Sequence, residues 1–370
     1  MDERDRLASL RLFLTPGIGP RLHAALVERF GGPAAAAEAT ERDLVQVPGV
    51  GEPSAASIRA GLRQADPEKE LEAAAKAGAR IVFRDDPEYP IALTYLADAP
   101  PLLYVKGTLP KEDAQAIAIV GTRRCSLYGQ DQAERLAGGL ARAGFTVVSG
   151  LARGVDAAAH RGALAAGGRT LAVLGCGLGQ VYPPENGRLA EAVMACGALL
   201  SEFPTAMEPL AENFPRRNRI IAALSLGVLV VEAPRQSGSL ITARLAAELG
   251  KEVFAVPNRV DAPGAAGVHA LIRDGAKLVE SVADVLDEFA DLKIAAPDGT
   301  EQPREAALAL KANLSPEEAR LVEVLDGEPA DLDALARESG LEAPRASAAL
   351  TLLELKGLAR ALPGGRFMRR

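Results

Sequence analysis

From Ile117 onward, short apolar runs alternate with stretches of helical spacing. The runs are AIAIVG, FTVVSG, TLAVLG, ALLSEF, GVLVVEA and EVFAVP. None of them alternates apolar with polar residues, as expected of strands covered on both faces. Helical patterns fill the intervals at 127–143, 154–167, 187–196, 216–224 and 240–250. Alternating β and α elements predict an α/β fold with a parallel, doubly wound sheet. Ligands of such sheets bind beyond the carboxyl ends of the strands, so the residues that follow each strand are the ones that count.

Those residues are small, hydroxyl-bearing or basic. Gly121, Thr122, Arg123 and Arg124 follow the first run, and Ser149, Gly150, Arg153 and Gly154 follow the second. A long loop after the fourth run ends in Phe214, Arg216, Arg217, Asn218 and Arg219; Arg235, Ser237, Gly238 and Ser239 follow the fifth. Glycines let a ligand approach the backbone, hydroxyls and helix N-termini donate to anions, and guanidinium forks suit phosphate. Of the 42 basic residues in the chain most are arginine, so a single Arg carries little weight. Arginines after four strands, each beside small or hydroxyl residues, predict a phosphate-binding rim wider than one nucleotide. Charge agrees: residues 117–280 sum to +3 within a chain of net charge −7.

Several chemistries have no motif here. No G-x-G-x-x-G follows the first strand and no G-x-x-x-x-G-K-[ST] occurs, which argues against a dinucleotide cofactor and a P-loop. Glu202 and Glu232 end strands but look isolated. Asp156 and His160 share a helix face and read as a capping Asp and a packed His. His269 lies near a helix start without an evident partner. Cys176 has nothing nearby to activate it, and Cys125, Cys176 and Cys196 lack metal-ligand spacing. A rim rich in donors and poor in bases is expected to bind without catalysis, cofactor or metal. The widely spaced cysteines, the charged N-terminus and the lack of an apolar run near ~20 residues fit a cytoplasmic protein with no membrane association.

The flanks have their own patterns. Residues 1–80 contain an internal echo, Leu14–Gly32 and Leu44–Leu62, each with a Pro-Gly-apolar-Gly turn between helical stretches. Such tandem helix-hairpin-helix turns can hold DNA phosphates. Glu52, Pro53 and Ser54 after the second turn favour packing or protein contact instead. Residues 81–290 hold a Pro-punctuated lead-in, in which PLLYVKG reads as a strand, followed by the alternating core. A linker is expected at 291–313. Residues 314–370 read as three helices and a hairpin across Pro363-Gly364-Gly365, a winged helix. Its third helix shows only Arg345 and Lys356 as basic groups, which favours a protein-contact or regulatory wing over a DNA reader.

The runs GTRRCSLYG, SGLARGVDAAAH, FPRRNRIIAALS and RQSGSLITARLAAELGKEVFAVP, preceded by YPIALTYLADAPPLLYVKG, resemble the DNA-processing protein A (DprA/Smf) family over nearly the whole chain. The resemblance implies an extended Rossmann-like core, an N-terminal helix-hairpin-helix (SAM-like) domain and a C-terminal winged helix. It implies a protein that binds single-stranded DNA without strong sequence preference, protects it and loads the RecA recombinase in natural transformation. It also implies a homodimer formed through the core. The family's Gly-Ser/Thr-Arg motif falls on Gly121, Thr122 and Arg123, and its Arg-Asn-Arg run on Arg217, Asn218 and Arg219. Two positions depart from the pattern: Asn258 stands where the family has glycine after Val-Pro, and His269 where it has asparagine before Leu-Ile. Tyr128 and Phe214 are the candidate base contacts, although each reads more readily as a core ring. Two other readings remain: a nucleotide phosphoribohydrolase-like enzyme, disfavoured because Arg235–Ser239 lacks that family's glutamate, and a nucleotide-sensing adaptor.

Overall fold

The computed structural model describes residues 1–290, 314–325, 329–356, 358–362 and 364–369. They fall into two compact units, Met1–Ala295 and Ala296–Arg370. The expected linker at 291–313 and part of the expected hairpin turn, Pro363, lie outside the described residues.

In the first unit, six helices come first: α1 (Glu3–Leu14), α2 (Pro20–Phe30), α3 (Pro33–Glu38), α4 (Glu41–Leu44), α5 (Glu52–Gln64) and α6 (Pro67–Lys76). The two echoed turns precede α2 and α5, and each carries proline in the first helical turn, where its missing N–H costs nothing. Gly17 and Gly49 occupy matching positions at φ +86°, a left-handed conformation that favours glycine. Leu12, Leu26, Leu44 and Ile58 form a core of their own, while Leu10 packs with Phe83 and Tyr104 against the sheet.

The strands that follow are β1 (Arg80–Phe83), β2 (Leu102–Gly107), β3 (Ala116–Val120), β4 (Thr146–Ser149), β5 (Thr170–Leu174), β6 (Ala198–Ser201), β7 (Gly227–Val230), β8 (Glu252–Ala255) and β9 (Lys277–Leu278). Among the described residues they form one sheet in the order β1-β2-β6-β5-β4-β3-β7-β8-β9. Every pair from β6 to β9 is parallel, whereas β1 and β2 add an antiparallel edge. Between the strands run α7 (Leu127–Arg142), α8 (Val155–Ala165), α9 (Gly187–Cys196), α10 (Asn213–Leu224), α11 (Gly238–Glu248) and α12 (Ala265–Arg273). Successive strand residues point to opposite faces. Thus Ile117 and Ile119 meet Leu136, Leu140 and Ala158 of α7 and α8, while Ala118 and Val120 meet Ile220, Ala243 and Val268 of α10, α11 and α12. The chain leaves β3 toward β4 on one side and returns to its other side at β7. The crevice of the sheet therefore opens at the carboxyl ends of β3 and β7, from which the chain runs to opposite faces.

The second unit holds helices at Pro316–Val324, Leu332–Ser339 and Ala343–Leu355 and a small sheet in which Ala359–Leu362 pairs antiparallel with Arg366–Arg369. Leu321, Leu335, Leu350 and Leu353 fill its core. Ser315 caps the first of these helices in a capping box with Glu318, and Lys356 reaches the buried Glu318 carboxylate at 2.6 Å.

Candidate nucleic-acid interface

A cavity of about 640 Å³ lies at the β3/β7 crevice. Its walls include Gly121–Arg124 after β3, Ala152 and Asp156 after β4, Tyr182 after β5, Pro209 and Ala211 before α10, the first turns of α10, and Pro234–Thr242 leading into α11. The backbone approaches closely there. A Cβ on Gly121 would lie 2.5 Å from the Val155 side chain, and one on Gly154, at φ +73°, 2.4 Å from the Thr122 carbonyl. Gly238, by contrast, has nothing within 4 Å of where a Cβ would be. Its bareness leaves the start of α11 open to the cavity, where unsatisfied backbone N–H groups gather. Ser237 caps this helix, accepting a hydrogen bond from Ser239 N at 3.3 Å.

Helix geometry decides which groups of α10 enter the cavity. Residues three, four and seven apart share a face, so Phe214, Arg217, Asn218 and Ile221 line it together. Phe214 is half-buried and meets Tyr182 at 5.7 Å between ring centroids. The Arg123 guanidinium lies 5.0 Å from its ring centre and that of Arg217 6.0 Å. Arg123 and Arg124 are exposed, with their cationic ends available to a ligand. Arg217 is buried at 4 % exposure and donates to the carbonyls of Gly150, at 2.8 Å, and Val173, closing the floor across the ends of β4 and β5. Burial pushes its pKa down to about 10. Asp156 accepts hydrogen bonds from Gly150 N (3.1 Å) and Ala152 N (3.4 Å). Burial raises its pKa against the opposing pull of Arg217. Between these two N–H groups, Leu151 takes φ 55°, a left-handed conformation unusual for a leucine.

Five residues expected on the rim do not line the cavity. Arg219 faces away from the cavity, 7 % exposed, and is held by Glu202 at 2.7 Å and Asp98 at 2.9 Å. At about 100° per residue it stands about 200° around α10 from Arg217, so one cavity cannot take both. Arg216 leans over the Phe203 ring and is half-exposed, 3.9 Å from Glu202. Arg153 is paired with Glu185 on the surface. Ser149 is buried and donates to the Ile119 carbonyl at 2.6 Å, and Gly150 serves Arg217 and Asp156 through its backbone. Helix α10 begins at Asn213, three residues before the expected start.

The two glutamates that look isolated in the sequence are not. Glu202 anchors Arg219. Glu232, 2 % exposed, accepts hydrogen bonds from Ser126 N at 2.8 Å, from Ser126 Oγ, and from Asn258 Nδ2 at 2.9 Å. His269 likewise has a partner, its Nε2 lying 2.9 Å from the Asn258 carbonyl. Tyr128, a candidate base contact that reads more readily as core, is half-buried against the α7 core and donates to the Pro257 carbonyl at 2.9 Å. His160 sits fully buried against Thr170 Oγ1 at 2.7 Å, with burial lowering its pKa to about 3, and burial raises that of Cys176 to about 11. Among the described residues no group of His, Cys, Asp and Glu could hold a metal ion, and no helix is long and apolar enough to cross a membrane.

The cavity and the sheet order can be set beside known proteins. The profile described as DNA recombination-mediator protein A matches residues 80–290, the whole sheet and the whole cavity. The chain belongs to the DprA/Smf family. The DprA winged helix domain matches residues 303–365, and the SAM-like helix-hairpin-helix tandem residues 10–64. The Smf protein of Synechocystis is 36 % identical over 96 % of both chains. DprA of Streptococcus pneumoniae is 46 % identical over 54 % of this chain and 71 % of its own. The X-ray structure of the pneumococcal protein superimposes with a TM-score of 0.67 at 36 % identity, over 78 % of this chain and 98 % of that one. A Helicobacter pylori DprA structure, described in terms of its single-stranded DNA binding mode, reaches 0.53 at 30 % identity, over 58 % of this chain and 98 % of its own. The family consists of recombination mediators rather than enzymes.

Proposed function

We propose that the cavity binds the backbone and bases of single-stranded DNA, and that this chain protects incoming strands and loads RecA onto them in natural transformation. The observation that carries the reading is one constellation: Arg123 over the Phe214 ring in a cavity that the open N-terminus of α11 also lines. Guanidinium and helix N–H groups suit phosphates, and a ring at the same place suits an unstacked base, a combination typical of single-strand binding. Gly121, Thr122, Arg123, Arg124, Phe214, Asn218, Ser237, Gly238 and Ser239 supply the surface, with Arg217 as a buried positive floor.

Among the described residues Asp156 is the carboxylate that lines the cavity, and its Oδ2 accepts the Gly150 and Ala152 N–H groups, which suits a structural role better than that of a catalytic base. Membership of the family supports the further parts of this reading: RecA as partner, a homodimer formed through the core and a cytoplasmic location. The 640 Å³ volume lies within the range of small-molecule sites, so size does not separate a strand from a mononucleotide. Length does. Anisotropy of labelled oligo-dT from a few to about 20 nucleotides should show affinity rising with length and falling with salt. Displacement of the oligomer by equimolar thymidine monophosphate would overturn the strand reading in favour of a nucleotide sensor or enzyme.

A further inference from the structure

The turn that carries Arg123 and Arg124 is clamped at both ends by one residue. At its start, Thr122 N donates to the Glu232 carbonyl at 2.8 Å, extending the β3/β7 pairing. At its end, Ser126 donates through both N and Oγ to the Glu232 carboxylate. Inside the turn, Arg124 N donates to Thr122 Oγ1 at 3.2 Å, and Ser126 Oγ accepts from Gly129 N at 3.0 Å to start α7. The neighbours are shaped to this carboxylate. A Cβ on Gly129 would lie 2.5 Å from Glu232 Oε2, and one on Gly264 3.2 Å from its carboxyl carbon.

On its far side Glu232 accepts the Asn258 side chain, and Asn258 accepts His269 Nε2 on α12. The two positions that depart from the family pattern are therefore hydrogen-bonded to each other and, through Asn258, to the turn. Glu232 does not line the cavity.

We propose that Glu232 is the positioning residue of strand binding: it fixes the Thr122–Ser126 turn so that Arg123 meets phosphate, with Asn258 and His269 holding it from behind. The chemistry calls for a carboxylate, because all three side-chain partners donate. A glutamine of the same shape must turn its NH₂ toward at least one donor, and the turn then shifts. The proposal rests on the strand reading above.

A double-mutant cycle separates the two. Glu232→Gln should weaken oligo-dT binding by about tenfold, the scale of one lost charge-assisted hydrogen bond. In an Arg123→Ala background the same change should cost less than about twofold, although any loss of thermal stability persists there. Asn258→Ala, at a half-exposed loop, should give a smaller loss that also vanishes in the Arg123→Ala background; it serves where Glu232→Gln does not fold. Full affinity in folded Glu232→Gln, or equal losses in both backgrounds, overturns the positioning role. If Arg123→Ala alone leaves affinity unchanged, the strand reading of the turn fails, and the role proposed for Glu232 fails with it.

Discussion

Removal of the Arg219 guanidinium separates a structural arginine from a binding one. Arg219→Met keeps the aliphatic stem and deletes the partner of Glu202. That carboxylate is 3 % exposed, one of its oxygens already lacks a hydrogen-bond partner, and its remaining cation, Arg216, sits 3.9 Å away and half in water. Breaking a buried pair from one side costs about 3–5 kcal/mol. Protonation sets a ceiling. Burial already raises the Glu202 pKa above its ordinary 4.5, and loss of Arg219 raises it further. Holding a proton on Glu202 in the folded variant costs about 1.4 kcal/mol for each pH unit above its unfolded pKa, so the ceiling is lower at low pH. The sign is fixed: the folded variant holds a proton that the unfolded chain releases above about pH 4.5, so its stability falls as pH rises. Urea unfolding of wild type and Arg219→Met at about pH 8 and about pH 5.5 should give a difference that shrinks on going to the lower pH. Oligo-dT affinity of the folded variant should match wild type. A pH-independent difference below about 1 kcal/mol, or an affinity loss in a stably folded variant, refutes this placement of Arg219.

Phe214→Ala should weaken oligo-dT binding by about 1–3 kcal/mol, the value of one base–aromatic stack, measured by anisotropy at fixed salt; unchanged affinity would remove the ring from the strand path. Glu185→Gln breaks an exposed ion pair with Arg153, so stability should hardly change while low-salt affinity rises as Arg153 is freed. Equal affinity would leave Arg153 off the path. Burial holds His23 and His160 neutral, lowering their pKa values to about 4 and about 3. The unfolded chain takes up protons at both below about pH 6.5, so these two groups withdraw stability as pH falls from 7 to 5. His23→Gln should flatten that part of the melting-temperature profile, and an unchanged profile would contradict it.

The alternation of short apolar runs and helical spacing made the core legible because both faces of the sheet are covered, which removes polar residues from the strands. Strand β1 was not legible: Arg80–Phe83 is four residues long and gains its pairing from β2, far along the chain. The two residues of β9 carry too little pattern to read. Positions next to strand ends announced the cavity through glycine and hydroxyl content. Which arginines enter it depends on helix phase, and Arg217 and Arg219, two apart on α10, were separable by the helical repeat alone. The partners of Glu232 were beyond reach, since Ser126, Asn258 and the carboxylate meet only once β3, β7 and β8 lie side by side. The same holds for Glu202, whose cation Arg219 arrives from the next helix and takes its second acid, Asp98, from before β2.

The salt dependence of oligo-dT binding, compared between wild type and Arg123→Ala, tests the central claim most directly. A single strand loses affinity with a log–log slope of about −0.7 per neutralised phosphate. If the turn after β3 grips the strand backbone, the Arg123→Ala line should be shallower by about 0.7, with affinity lower by about 1.5–3 kcal/mol, the range for a hydrogen bond to a charged group. Two superimposed lines from two folded proteins would contradict the account.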